Sequence, residues 1–237
     1  MQLRRLAQVL LAALATSASL TACSGNPDNT GPLPEGQRLV DAAAENLRDL
    51  TSVAFELDIS GAIPGLPVRK IEGVASRTES PNGTASGDAD MQLETERVRY
   101  EFALDSDVLR LTDSDGETVE KAMPDTYTPA RLLDPEQGMR QLLTEAEGLE
   151  TETREQLGDV ETYRVDGDLS REAISAVVPA VHDDVDVKFW IADGTDQLMR
   201  IWIQVPPRKE NEGAVQVQLV LTEHNTAEAS TASARRS

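Results

Sequence analysis

The chain has 237 residues and a formal net charge of −20, because 42 acidic residues outnumber 22 basic ones. Binding through charge alone to nucleic acid or to an anionic bilayer is therefore excluded. Apolar residues make up 39% of the chain but aromatic residues only 3%, which predicts a mainly aliphatic core, and the single cysteine leaves no disulfide to support it.

The N-terminal stretch is typical of a secretory signal. Arg4 and Arg5 precede an apolar run over residues 6–20, which is shorter than the roughly 20 apolar residues that a membrane-spanning helix needs. The run ends in Leu20-Thr21-Ala22-Cys23, which resembles a bacterial lipobox, where the signal is cut before a cysteine that carries lipid. A stray free thiol is the weaker interpretation, since an exposed lone thiol is a liability outside the cell. We predict a signal peptide over residues 1–22 and a lipid anchor on Cys23.

The segment after Cys23 is rich in Gly, Pro, Asn, Ser and Asp and has one apolar residue, Leu33. This composition predicts a flexible tether over residues 23–34. Its extended reach is on the order of 35–40 Å. The folded part is therefore expected on the extracytoplasmic, periplasmic face of the cell membrane, held there by the anchor rather than by charge.

The first half of the folded region is predicted to be a helix followed by strands. Apolar residues spaced three and four apart indicate a helix over residues 35–50. Alternation of apolar and polar residues then indicates strands. They are expected at residues 53–59, 68–78, 87–93, 98–104, 108–112 and 117–123.

Two of these strands carry the candidate binding residues. Side chains alternate between the faces of a strand, so Ala89, Met91 and Leu93 share one face, whereas Asp88, Asp90 and Gln92 are expected to face water. In the following strand the residues that share one apolar face are Val98, Tyr100, Phe102 and Leu104.

The second half mixes helices and strands. A helical pattern in two pieces covers residues 128–147, with Asp134 predicted as an N-cap and Pro135 in the first turn. Ser170 is predicted to cap another helix that ends near residue 178. Strands are expected at residues 152–156, 160–167, 185–192, 198–205 and 214–223, and a disordered tail at residues 226–237. The pattern predicts one α+β domain over residues 35–225.

The sequence shows no catalytic or metal-binding motif. It has two histidines, His182 and His224, and neither a G-x-S-x-G nor an H-E-x-x-H pattern. Asp183 and Asp184 follow His182, but neighbouring carboxylates on an extended chain point apart, which favours a solvated loop over a metal site. We therefore expect no metal, no cofactor and no enzymatic activity. A catalytic pair of carboxylates from distant parts of the chain remains an open alternative.

Three groups of residues carry a likeness to a known family. They are residues 61–68 with Ile71 and Gly73, residues 127–135 with Gly138 and Leu142-Leu143, and Trp190-Ile191 with residues 196–198 and 217–219. This pattern resembles the LppX/LprA/LprF/LprG family of actinobacterial lipoproteins, and its LprG branch in particular. The likeness spans most of the predicted domain.

The resemblance implies a curved antiparallel sheet, a half-barrel, with helices packed on its concave face around an apolar cavity. It implies a cell-envelope lipoprotein that binds acylated lipids or glycolipids and carries them from the cytoplasmic membrane across the periplasm towards the outer envelope. An efflux transporter of the major facilitator class is an implied partner. The expected cavity residues are Ala89, Met91, Leu93, Val98, Tyr100 and Phe102, with Ala89 aligned to an apolar wall position.

Two alternatives stay open. Between Leu111 and Tyr127 the LprG branch is aromatic, whereas this chain is polar over residues 112–126, so a different ligand is expected if that segment lines the cavity entrance. The second alternative is a non-enzymatic adaptor lipoprotein that holds or assists a membrane transporter. An adaptor would have a fully packed core and no lipid cargo.

Overall fold

The computed structural model describes residues 27–28, 30–78, 80–93, 95–207 and 213–226. The predicted signal peptide, the predicted anchor Cys23 and the predicted tail from residue 227 onwards lie outside these residues.

Over the described ranges, eleven strands form one antiparallel sheet in the order β6-β5-β4-β3-β2-β1-β11-β10-β9-β8-β7. The sheet is not closed, because β6 and β7 each have a neighbour on one side only. The strands are β1 Ser52–Ser60, β2 Val68–Ser76, β3 Thr84–Leu93, β4 Glu96–Asp105, β5 Val108–Thr112, β6 Thr118–Ala122, β7 Glu147–Leu157, β8 Val160–Leu169, β9 Val185–Ala192, β10 Leu198–Val205 and β11 Val215–Thr222.

Four α-helices cover one face of this sheet. They are α1 Gly36–Asn46, α2 Pro129–Leu132, α3 Gly138–Thr144 and α4 Arg171–Val177. The apolar stripe of α1, which includes the buried residues Leu39 and Val40, belongs to the same buried cluster as Val187 and Phe189 of β9. None of the helices in the described ranges is long and apolar enough to cross a membrane.

This architecture confirms the predicted fold, a single α+β domain with an open, curved antiparallel sheet and helices on its concave face. Strands β9 and β10 have the predicted bounds. The predicted cap of α4 is present, since the Ala173 amide donates to Ser170 Oγ at 3.3 Å. The first predicted helix ends at Asn46 and continues as a 3₁₀ turn over Leu47–Asp49.

The prediction of Asp134 as a helix N-cap is wrong. Its carboxylate Oδ1 accepts hydrogen bonds from the Glu136 and Gln137 amides, at 2.8 and 2.9 Å, in the loop between α2 and α3. Helix α3 begins only at Gly138, where φ is +56°. A side chain there would collide with the backbone of α2, so the chain turns sharply before the helix starts.

The predicted helix up to residue 147 is also too long. Helix α3 ends at Thr144, and Glu147 already begins β7. Gly148 has a φ of +66°, and the pairing of β7 with β8 shifts register between Glu147 and Glu150. The irregular start of β7 hides the alternation that identifies a strand.

Asp90 does not face water as predicted. The residue is 9% exposed, because the Arg97 side chain of β4 lies across it, with Nε 2.8 Å from each carboxylate oxygen. These hydrogen bonds hold the pKa of Asp90 below its usual value. The predicted strand face is correct, but a neighbouring side chain shields it from solvent.

Two facing glycines bring β2 and β3 unusually close together. Gly73 pairs with Gly87 across the two strands. A Cβ atom built on Gly87 would lie 2.0 Å from the Glu72 carbonyl oxygen, and one on Gly73 would lie 2.2 Å from that of Ser86. Only glycine permits this approach. The pair lies on the concave face, in line with Ala75 and Ala89.

Candidate functional site

A cavity of about 420 Å³ lies between the helices and the concave face of the sheet. Its size is within the range of ligand-binding pockets, about 300–1,000 Å³. The strands contribute inward-facing apolar residues, which are Val53, Phe55, Leu57, Ile59, Val68, Ile71, Ala75, Ala85, Ala89, Met91, Phe102, Leu104, Leu109, Leu111, Ile201, Ile203, Val217, Leu219 and Leu221. The helices and loops contribute Ile63, Leu66, Pro67, Met123, Tyr127, Pro129, Leu132, Leu133, Met139, Leu142, Val177 and Val178.

The cavity divides the hydrophobic core into two clusters. The larger cluster contains the buried residues of the helices and of the strands beneath them. The smaller cluster, on β3, β4 and β5, consists of Ala85, Ala89, Phe102, Leu104 and Leu111. Small residues on the inner face of β2 and β3 leave the space between the clusters unfilled.

The apolar atoms of the cavity wall have no packing partners across the 420 Å³ of space. An empty cavity therefore forfeits dispersion contacts that a filled core would make. Water would recover little of this loss, because the wall offers almost no hydrogen-bonding groups. The cavity is therefore suited to an apolar ligand that fills it.

A tight turn forms one end of the cavity wall. The Leu66 amide donates to the Ile63 carbonyl oxygen at 3.0 Å, with Pro64-Gly65 between them. Gly65 has a φ of +82°, as the third residue of a type II turn requires. The Gln92 amide donates to the Pro67 carbonyl oxygen at 2.7 Å and joins the turn to β3. This geometry accounts for Pro64 and Gly65, the two central residues of the turn.

The wall carries almost no charge. Tyr127 is the one ionisable residue among the lining residues that the structure describes, and burial raises the pKa of its hydroxyl above the usual value of 10.0. The cavity is therefore uncharged near neutral pH. Over the described part of the chain, no three His, Cys, Asp or Glu side chains are grouped so that they could hold a metal ion.

The structure brings three of the six candidate cavity residues to the wall, Ala89, Met91 and Phe102. Leu93 lies at the end of β3 and is 38% exposed. Val98 pairs with Met91, and Tyr100 pairs with Ala89, across β3 and β4. Both are half-buried and do not line the cavity. Binding of lipid by any of these residues stays a prediction, as does lipidation of Cys23, which lies outside the described residues.

Most of the residues that line the cavity were not predicted from the sequence. Leu57 of β1 and Ile71 of β2, for example, each lie between two polar residues, as Ala89 and Met91 do. The alternation identifies their inward face. It does not distinguish a face that packs on a helix from one that borders a cavity.

Comparison with known sequences gives a consistent result. The sequence model of the family described as "LppX_LprAFG lipoprotein" matches residues 35–227. A relative named lipoarabinomannan carrier protein LprG, from Mycolicibacterium hassiacum, is 31% identical over 209 residues, which cover 86% of this chain and 89% of the relative. The protein of the same name from Mycobacterium leprae is 30% identical over 222 residues, 91% of each chain.

Two solved structures share the fold. LprF from Mycobacterium bovis matches with a TM-score of 0.69 at 19% identity, covering 82% of this chain and 95% of its own. The lipoprotein LppX from Mycobacterium tuberculosis matches with a TM-score of 0.61 at 18% identity, covering 80% of this chain and 94% of its own.

Proposed function

Because this chain belongs to the LppX_LprAFG lipoprotein family, we propose that it carries acylated lipids or glycolipids from the cytoplasmic membrane towards the outer envelope, with the acyl chains held in its cavity. The observation that supports this most strongly is the cavity itself, which has about 420 Å³ of space and an apolar lining. The name of the relatives, lipoarabinomannan carrier protein, supports a lipid or glycolipid as the cargo.

The transfer energetics of an acyl chain explain why a carrier is useful. At about 0.8 kcal/mol per CH₂ group, a chain of about sixteen carbons crossing water alone would cost roughly 13 kcal/mol. The cavity replaces water with apolar contacts during the crossing. Since membrane interior and cavity are both apolar, loading and release can stay nearly balanced in free energy.

The proposal also includes the membrane anchor and a partner. Two or more acyl chains on Cys23 would hold the protein stably at the periplasmic face of the cell membrane, where its excess of acidic residues gives no attraction of its own. A transporter of the major facilitator class is the proposed partner at that membrane.

A vesicle assay tests the carrier function. Donor vesicles contain a lipid with self-quenched fluorescent acyl chains, acceptor vesicles contain none, and the chain from residue 24 onwards is added. We expect the rate of dequenching to rise in proportion to protein concentration, because each molecule shuttles lipid in its cavity. A rate that does not depend on the protein would contradict the carrier and favour the adaptor.

A further inference from the structure

Asp28, near the start of the described residues, lies against the edge strand β7. The Asp28 amide donates to the Arg154 carbonyl oxygen at 2.7 Å, and the Arg154 amide donates back to the Asp28 carbonyl oxygen at 2.9 Å. The two residues therefore form one antiparallel bridge on the side of β7 that faces away from β8. This contact falls within the predicted tether.

Both partners of the bridge are held in place by their surroundings. Asp28 Oδ1 accepts hydrogen bonds from the Thr30 amide and hydroxyl, at 2.8 and 2.6 Å, which tie Thr30 to Asp28. On β7, the Arg154 guanidinium donates to Glu161 at 2.7 Å and to Asp193 at 2.9 Å. Asp28 therefore pairs with a residue, Arg154, whose side chain is already held by two acidic partners.

The contact also protects the sheet. A strand at the edge of a sheet presents backbone groups that can pair with another chain. Strand β7 occupies such an edge, and its pairing with β8 shifts register between Thr151 and Thr153. The Asp28 bridge occupies the backbone groups of Arg154 just after this irregularity.

We propose that the segment after the lipid anchor docks on β7 through Asp28 and thereby fixes which side of the domain faces the membrane. This rests on the proposed lipidation of Cys23. Five residues lead from Cys23 to Asp28, and at about 3.3–3.6 Å per residue they span at most roughly 18 Å. The freely flexible tether predicted from the sequence would allow about twice that distance. The β7 edge is therefore the membrane-proximal side.

The two tryptophans provide native probes of this arrangement. Trp190 Nε1 donates to Glu155 of β7 at 2.6 Å, and Trp202 lies on the neighbouring strand β10. Energy transfer from these tryptophans to an acceptor on lipid headgroups reports how far the β7 side stands from the bilayer. The lipidated full-length protein is reconstituted in vesicles of phosphatidylcholine that contain a dansyl-labelled lipid.

Matched insertions on either side of Asp28 test the docking. Six Gly-Ser residues are inserted between Asn26 and Pro27, on the anchor side, or between Gly31 and Pro32, on the domain side. The anchor-side insertion adds up to about 20 Å of chain and is expected to remove roughly half of the transfer or more. The domain-side insertion should change nothing, because it lies beyond the docked residue. An equal loss from both insertions would overturn the proposal.

Hydrogen exchange in solution tests the bridge independently of the membrane. Asp28→Pro removes the amide that donates to Arg154 and is expected to speed exchange of the Arg154 amide about tenfold. Gly25→Pro, which leaves Asp28 intact, is the control and should leave that exchange unchanged. Equal exchange in wild type and Asp28→Pro would overturn the docking. Absence of energy transfer in every variant would instead refute the lipid anchor and with it the membrane-facing side, while the exchange rates still decide the bridge.

Discussion

Ala89→Trp is expected to expel lipid from the cavity while the free energy of unfolding stays almost unchanged. Ala89 is 6% exposed and lies in the cavity wall between Ile71 and Tyr100 of the neighbouring strands. An indole at this position can extend into the cavity and occupy the space of an acyl chain. Chemical denaturation would be measured on delipidated wild type and variant, because bound lipid itself stabilises the native state, and the mass of bound lipid on the proteins as purified.

A matched variant separates this effect from ordinary overpacking. Ala43 on α1 is fully buried in the larger cluster, outside the cavity lining. Ala43→Trp is therefore expected to destabilise the fold by about 1–3 kcal/mol or more, because its neighbours leave no space. If Ala89→Trp destabilises the protein as much as Ala43→Trp does, or keeps its full load of lipid, the space beside Ala89 does not hold the ligand.

Cys23→Ser is expected to move the protein from the membrane fraction to the soluble fraction. Each acyl chain contributes about 0.8 kcal/mol per buried CH₂ group, so the loss of two chains removes nearly all of the membrane affinity. The excess of acidic over basic residues gives the protein no compensating attraction to an anionic bilayer. Fractionation of cells that express each form measures the distribution.

The matched control for this variant is Ser24→Ala, which changes the adjacent residue and keeps the cysteine. It should stay in the membrane fraction like the wild type. A Cys23→Ser protein that remains membrane-bound after its signal has been cleaved would show that the attachment does not depend on lipid at Cys23.

The sequence predicts this fold well where one local pattern dominates. Strands β9 and β10 alternate between buried and more exposed residues over residues 185–189 and 201–205, and their bounds were predicted to the residue. The start of β7 was missed because Gly148 and a register shift interrupt its alternation. The N-cap at Asp134 was wrong because the φ of +56° at Gly138 and its close approach to the α2 backbone decide where α3 begins, and an Asp followed by Pro reveals neither.

The site was predictable only in part for a related reason. Ala89, Met91 and Leu93 share a strand face, but only the first two reach the cavity, since Leu93 lies at the end of its strand. Whether an inward residue borders a helix or a cavity depends on where the helices lie across the sheet. That position is set by tertiary packing between residues far apart in the chain, such as those of α1 and β9.

Native mass spectrometry tests the central claim that the cavity holds lipid. The chain from residue 24 onwards would be expressed in an actinobacterial host behind a cleavable signal peptide without a lipobox, exported and purified without detergent. We expect the protein to carry an additional mass of one acylated lipid, which is lost on extraction with organic solvent. A protein that leaves the host at the mass of its polypeptide alone would contradict the carrier and leave the adaptor as the better account.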